Sequence, residues 1–214
     1  MSTREQILES YIEHLNDEGH PPASVHRFCK NLGITEKEFF TEFPSLDTVE
    51  SAFWEALLDR VIHAVESGPE WAEFGAKQRL LAFLFAFCEE ALNQRSLLLH
   101  RFGGLGVFCK PRRFAGMERR YKVFVRTIIE HGMESGEIAC RGRLGDLYPE
   151  GLWIHFRGVI DYNLKDESKG FERTDAFIEK SVAVAFDLIR TQALDSAFDL
   201  AKFLLPGITG RSHS

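Results

Sequence analysis

Residues Val25–Phe43, VHRFCKNLGITEKEFFTEF, decide the fold. Ser24 can cap a short helix in which Val25, Phe28, Cys29 and Leu32 share one apolar face at helical spacing. Gly33 supplies the positive φ that ends it. Ile34 fills the corner, Thr35 caps a second helix, and Glu38 three residues later completes a capping box. Phe39, Phe40 and Phe43 are expected to anchor that second helix from one side. The pattern is a helix-turn-helix, a unit able to lay its second helix in a DNA major groove.

Working outward, an amphipathic helix over Arg4–Asp17 precedes this unit and stops at Gly19, and a new helix starts at Ser45, just after Phe43-Pro44. The run from Ile7 and Leu8 through Gly19, Val25, Phe28, Cys29, Gly33-Ile34-Thr35, Phe39-Phe40 and Phe43 resembles the N-terminal domain of the tetracycline-repressor-like (TetR) family. The resemblance covers about fifty residues closely, and the rest only as an all-helical pattern of suitable length. It implies an all-α fold: a three-helix helix-turn-helix head over 1–50 and a larger helical-bundle body over 51–214. That body would bind a hydrophobic ligand and dimerise. The sequence departs from the family at three places. Phe40 stands where the family usually has tyrosine, Glu42 where it has histidine or tyrosine, and Leu46 where it has lysine.

Those departures weigh on DNA affinity, because phosphate neutralisation supplies most of it. Residues 1–50 hold four Lys/Arg (Arg4, Arg27, Lys30, Lys37) and ten Asp/Glu, so the head carries the whole net charge of −6. A nucleic-acid-binding domain ordinarily shows a basic patch. The base- and phosphate-contacting candidates are His26, Arg27, Thr35, Lys37, Phe40 and Thr41. Glu36 and Glu38 are explained by capping and the helix dipole. Glu42 is not, and would face phosphate.

Cys29, Cys88, Cys109 and Cys140 are widely spaced, without CxxC or metal-ligand spacing, and read as reduced, mostly buried thiols of a cytoplasmic protein. MSTREQILES has no apolar signal-peptide core, and no apolar run approaches the roughly 20 residues of a membrane span. The eight histidines form no HxxxH or HExxH pair and no nucleophile motif stands in context, so no metal, cofactor or enzymatic activity is expected.

Further helices are expected over Ser45–Glu66, with Val49, Phe53, Leu57, Val61 and Val65 inward, and over Lys77–Gln94, apolar nearly all round and so buried. Helical character continues over Ser96–Phe102, then over Phe114–Ser135, Asp146–Leu164 and Thr174–Thr191, the last capped by Thr174. Gly103-Gly104-Leu105-Gly106 reads as a hinge, with Arg101, Arg112 and Arg113 near it, able to meet a ligand carboxylate but expected in solvent. Leu194–Leu205 is amphipathic: Leu194, Ala197, Phe198, Ala201, Leu204 and Leu205 fall on one side, Asp195, Asp199 and Lys202 on the other. The tail from Ile208 is expected to be disordered.

The body is rich in phenylalanine, which suits either a packed core or an apolar cavity. The ligand candidates are Phe83, Phe87, Phe102, Phe124, Ile128, Trp153 and Phe156. The resemblance implies a homodimer built by the last two long body helices, with Arg157, Ile160, Phe177, Ser181, Val184 and Leu188 as interface candidates. Two functions follow, beside that of a structural dimer that binds only another protein. One is a DNA-binding regulator controlled by a hydrophobic effector. The other is a lipid-binding protein that does not bind DNA, similar to the lipid-carrying accessory proteins of ubiquinone synthesis. In that reading the amphipathic Leu194–Leu205 segment could touch a membrane weakly, since its polar face holds one lysine against two aspartates.

Overall fold

Side-chain caps set the N-terminal third. Ser2 and Glu5 form a capping box that starts α1 (Thr3–Glu18), and Gly19 ends it in the left-handed region at φ 71°. Ser24 caps α2 (Val25–Leu32), which Gly33 terminates at φ 75°. Thr35 and Glu38 box the start of α3 (Glu36–Glu42), and Ser45 with Thr48 starts α4 (Leu46–Glu66). The computed structural model describes residues 2–139 and 142–190. The Leu194–Leu205 segment, the tail from Ile208 and Cys140 lie outside the described residues.

The body continues with α5 (Ala76–Asn93), α6 (Arg95–Phe102), α7 (Ala115–Glu134), α8 (Tyr148–Lys165) and α9 (Glu172–Arg190). Among the described residues every regular element is helical. Helix α5 is the hub, packed against α4, α6, α7, α8 and α9. None of its residues from Leu80 to Cys88 is exposed, as an all-round apolar helix requires. Helix α4 runs unbroken through residue 50 and packs on α1 at one end and on α5 and α7 along its length.

That double duty turns α4 by about one residue from the expected face. Glu50, Trp54, Leu58 and Ile62 are buried beside Val49, Leu57 and Val61, while Phe53 and Val65 are only half-buried. Two surfaces of α4 must be covered, so one apolar stripe does not describe it. The start of α9 differs too. Thr174 lies inside the first turn and is buried, giving its backbone N–H and its hydroxyl to Asp166 Oδ2, both at 2.8 Å. The capping acceptor is therefore Asp166. Burial pushes its carboxyl upward, but the hydrogen bonds from Ser168 and Thr174 outweigh that and hold it well below the usual carboxylate range.

Helices α4 and α7 approach closely at Gly116. Its N–H donates to Ser51 Oγ at 2.7 Å, and a Cβ there would stand 2.6 Å from the Ser51 carbonyl oxygen. Gly116→Ala should lower stability by about 1–3 kcal/mol, the usual overpacking cost. Urea unfolding of the two proteins checks this, and an unchanged midpoint would show that the helices separate freely.

Candidate functional site

The helix-turn-helix is built as a two-sided object. Phe28, Cys29, Phe39 and Phe43 point into the core, with Phe28 and Phe39 edge to face at 6.1 Å. The six DNA candidates are all exposed: His26 and Arg27 on α2, Thr35 at the cap of α3, and Lys37, Phe40 and Thr41 on α3 itself. Phe40 corrects the expectation of a third anchor. It is 51% exposed, resting edge-on against Phe39 at 5.4 Å. Adjacent residues of a helix point about 100° apart, so Phe39 and Phe40 cannot both face one core, and Phe39 and Phe43, four residues apart, take the inward row.

Two anions near α3 are already engaged. His26 Nδ1 lies 2.6 Å from Glu36 Oε1, joining α2 to α3. Glu38 accepts from the Thr35 N–H at 2.7 Å, which lowers its pKa. Lys37 is the one cation on α3. The Thr41 hydroxyl donates to the Lys37 carbonyl at 2.8 Å. Arg4 reaches from α1 to the Glu42 carbonyl at 3.2 Å and lies over the Phe43 ring at 4.2 Å, which fixes the far end of α3.

Behind this surface lies a feature that sequence reasoning missed. Glu50 is completely buried and accepts four hydrogen bonds. Its Oε1 takes Trp54 Nε1 at 3.1 Å and Arg101 Nε at 2.8 Å; its Oε2 takes the Tyr11 hydroxyl at 3.1 Å and Arg101 Nη2 at 2.7 Å. The Arg101 fork is thus bidentate, the strongest geometry for this pair. Arg113 Nε stands 3.9 Å from the same carboxylate, and its Nη2 donates to the Arg101 carbonyl at 3.2 Å. The network joins α1, α4, α6 and the turn before α7. Burial opposes the Arg101 charge, but its bonds to Glu50 and that group's charge raise its pKa above the ordinary value. Burial and then the Glu50 charge raise the Tyr11 hydroxyl.

Arg101 and Arg113 are therefore not the solvated side chains expected, because a buried carboxylate on α4 claims them; Arg112 is exposed. The signal in the sequence was Glu50 four residues before Trp54, which places a carboxylate under an indole N–H on one helix face.

In the body, five of the seven ligand candidates form one ring cluster. Phe83, Trp153 and Phe156 lie against Tyr121, which stacks on Phe156 at 4.6 Å with planes 10° apart, and Phe87 and Phe124 join the cluster through Phe83. Phe87 meets Phe156 edge-on at 4.7 Å, and Phe83 lies 5.0 Å from Phe124. Ile128 is buried on α7. Phe102 lies elsewhere, stacked on Phe114 at 3.8 Å and edge-on to Trp54 at 5.3 Å.

The dimer candidates divide. Val184 and Leu188 are exposed at 58% and 44%, and Phe177 stacks on Tyr162 at 4.4 Å on the same outer face. Ser181 bonds His155 at 2.8 Å. Arg157 and Ile160 are corrected: both are buried inside the protomer. Arg157 donates to the carbonyls of Cys109 at 2.9 Å and Gly106 at 3.3 Å, so it holds the glycine-containing loop rather than a partner. Cys109 on that loop is exposed, whereas Cys29 is buried and Cys88 half-buried. At the end of the pair where α9 finishes, α8 and α9 enclose an apolar groove of about 320 Å³, lined by Leu147, Tyr148, Gly151, Leu152, His155, Ala185, Leu188 and Ile189.

Residues 79–204, more than half of the chain, match the family model of the tetracycline repressor-like C-terminal domain. The chain belongs to the tetracycline-repressor-like family. Solved structures agree on the fold. A putative TetR-family transcription regulator from Shewanella sp. PV-4 is similar with a TM-score of 0.59 at 16% identity, over 87% of this chain and 96% of that one. A protein of unknown function from Rhodococcus sp. RHA1 is similar with a TM-score of 0.57 at 18% identity, over 89% of this chain and 97% of that one. A comparison with curated protein sequences gives no match. This family consists of regulators and not of enzymes, so the chain is not an enzyme. Among the described residues no helix is long and apolar enough to cross a membrane.

Proposed function

We propose that the chain is a cytoplasmic, homodimeric transcriptional regulator: residues 1–50 bind double-stranded DNA, and residues 51–214 bind a hydrophobic small molecule or lipid that controls it. The observation that carries this is one buried carboxylate that joins α1, on which the outward-facing α3 packs, to the body. Lys37, Phe40 and Thr41 face out while Phe39 is core, and Glu50 ties α1 to Arg101 of α6. A movement of α6 on ligand binding therefore moves α1, and with it the head. The effector acts only as far as it prefers one head position over the other.

The acidic head supports a second reading, a lipid-binding protein that has lost its operator. Selection of genomic fragments by the purified protein tests the first, and native mass spectrometry of a retained lipid tests the second. If DNA is bound, few phosphates are neutralised, because Lys37 is alone on α3 and Arg4 is committed to Glu42 and Phe43. The slope of log K against log salt should be about −4 or shallower, at about −0.9 per phosphate. A slope twice as steep overturns this account of the surface. Failure to enrich any fragment, together with a stoichiometric lipid, favours the second reading.

A further inference from the structure

We infer that Arg157 anchors an anionic head inside the body, which makes the effector an amphipathic acid: a carboxylate on an aliphatic or aromatic frame. Resting on the proposed control by a hydrophobic ligand, this names that ligand's chemistry. Arg157 is 3% exposed, and among the described residues no carboxylate stands within ion-pair distance of it. Glu118 and Asp161, the acids whose charge reaches it, are held by Lys122 at 2.5 Å and Lys165 at 2.7 Å. Glu50 is spent on Arg101 and Arg113. Three guanidinium groups therefore share one buried carboxylate. Burial lowers the pKa of Arg157 and of Arg113, and the charge of Arg113 adds to that at Arg157. A buried charge without a counter-ion is costly. What Arg157 has instead are two carbonyls and the rings of Phe102, Phe114 and Trp153, at 5.5, 5.7 and 5.9 Å.

The geometry fits a carboxylate. Nη1 and Nη2 of Arg157 both donate to carbonyls of one loop, those of Cys109 and Gly106. They are the two prongs of the fork that a carboxylate takes bidentately, so an arriving acid competes with the loop for the same donors. That loop is a surface layer: Gly103, Gly104, Gly106, Phe108, Cys109 and Lys110 are all exposed, Phe108 at 75%. Its own backbone bonds are short-range, from Leu105 N–H to the Phe102 carbonyl and from Cys109 N–H to the Gly106 carbonyl. Behind the fork, the three rings offer a wall for the apolar frame, and Trp153 continues it to Tyr121 and Phe156. Arg113 connects the site to the head. Its Nε is buried without a hydrogen-bond partner, while its Nη2 holds the Arg101 carbonyl. A second anion beside Arg157 draws Arg113 away from Glu50, and so loosens the network that joins α6 to α1.

Titration calorimetry of the full chain at neutral pH tests this with matched probes: dodecanoate against dodecanol, and indole-3-acetate against tryptophol. At least one acid is expected to bind about tenfold or more tightly than its alcohol, the usual margin of a charge-assisted hydrogen-bonded pair. Arg157→Met should abolish that preference and leave the alcohol's affinity in place. Arg157→Lys, which keeps the charge without the fork, should restore part of it. Hydrogen exchange of the unaltered chain gives a readout that needs no variant: the acid, and not the alcohol, should speed exchange in residues 103–110. Equal affinity of acid and alcohol overturns the inference and leaves a hydrophobic effector standing. An acid preference indifferent to Arg157→Met overturns it too, as does an acid that binds with the loop's exchange unchanged. Binding by none of the four probes overturns it and counts against the effector reading as well.

Discussion

Glu50→Ala is expected to destabilise the folded chain by about 3–5 kcal/mol, the cost of removing one partner from a buried ion pair. The substitution leaves the Arg101 guanidinium without its bidentate acceptor, and the Tyr11 hydroxyl and Trp54 N–H without theirs, in a largely buried region. Chemical denaturation gives the free energy. Hydrogen exchange then locates the damage, and α1 should lose protection before α5 does, because α1 is held to the body partly through this carboxylate. Arg101→Met is the informative companion. It removes the charge as well as the fork, so Glu50 alone is stranded, and a cost as large as that of Glu50→Ala identifies the pair, rather than either residue, as the unit. A loss under about 1 kcal/mol for both would mean that the network is wet and worth no more than a surface pair.

Phe156→Ala is the second large effect, about 3–5 kcal/mol by the usual measure for a buried aromatic. Its ring is completely buried and in contact with Phe83, Phe87, Tyr121 and Trp153. The vacated space would be walled by aromatic rings, and such cavities stay dry and admit benzene. Urea unfolding measures the loss, and benzene should raise the melting temperature of the variant alone. The result also judges the ligand hypothesis. If Phe156 borders a native ligand space rather than filling the core, the loss falls below about 1.5 kcal/mol and benzene stabilises the unaltered protein as well.

What was legible in the sequence was whatever depends on neighbours along the chain. Ser24, Gly33, Thr35 and Glu38 act over three or four residues, so the helix-turn-helix was readable from their order. The buried course of α5 was equally readable, since an all-round apolar helix has one stable environment. What was hidden depends on partners far away. Glu50 reads as one more acidic residue until Tyr11 and Arg101, 39 and 51 positions distant, converge on it. Arg157 reads as an interface residue until the carbonyls of Gly106 and Cys109 are placed over it. For the ligand residues, composition showed many rings, and whether they enclose space or fill it depends on how three helices meet.

The Thr41 hydroxyl has a consequence for how α3 could discriminate among bases. Its single proton is spent on the Lys37 carbonyl, so toward the groove the residue offers a methyl group and oxygen lone pairs. A phosphate oxygen, itself an acceptor, has nothing to gain there. A thymine methyl does, and the exposed ring of Phe40 one residue earlier extends the same apolar strip. Under the DNA-binding reading, the half-site facing α3 would be recognised by its methyl groups. Uracil in place of thymine, which removes those methyls and leaves every phosphate and hydrogen-bonding edge intact, would weaken binding more than its small chemical change suggests.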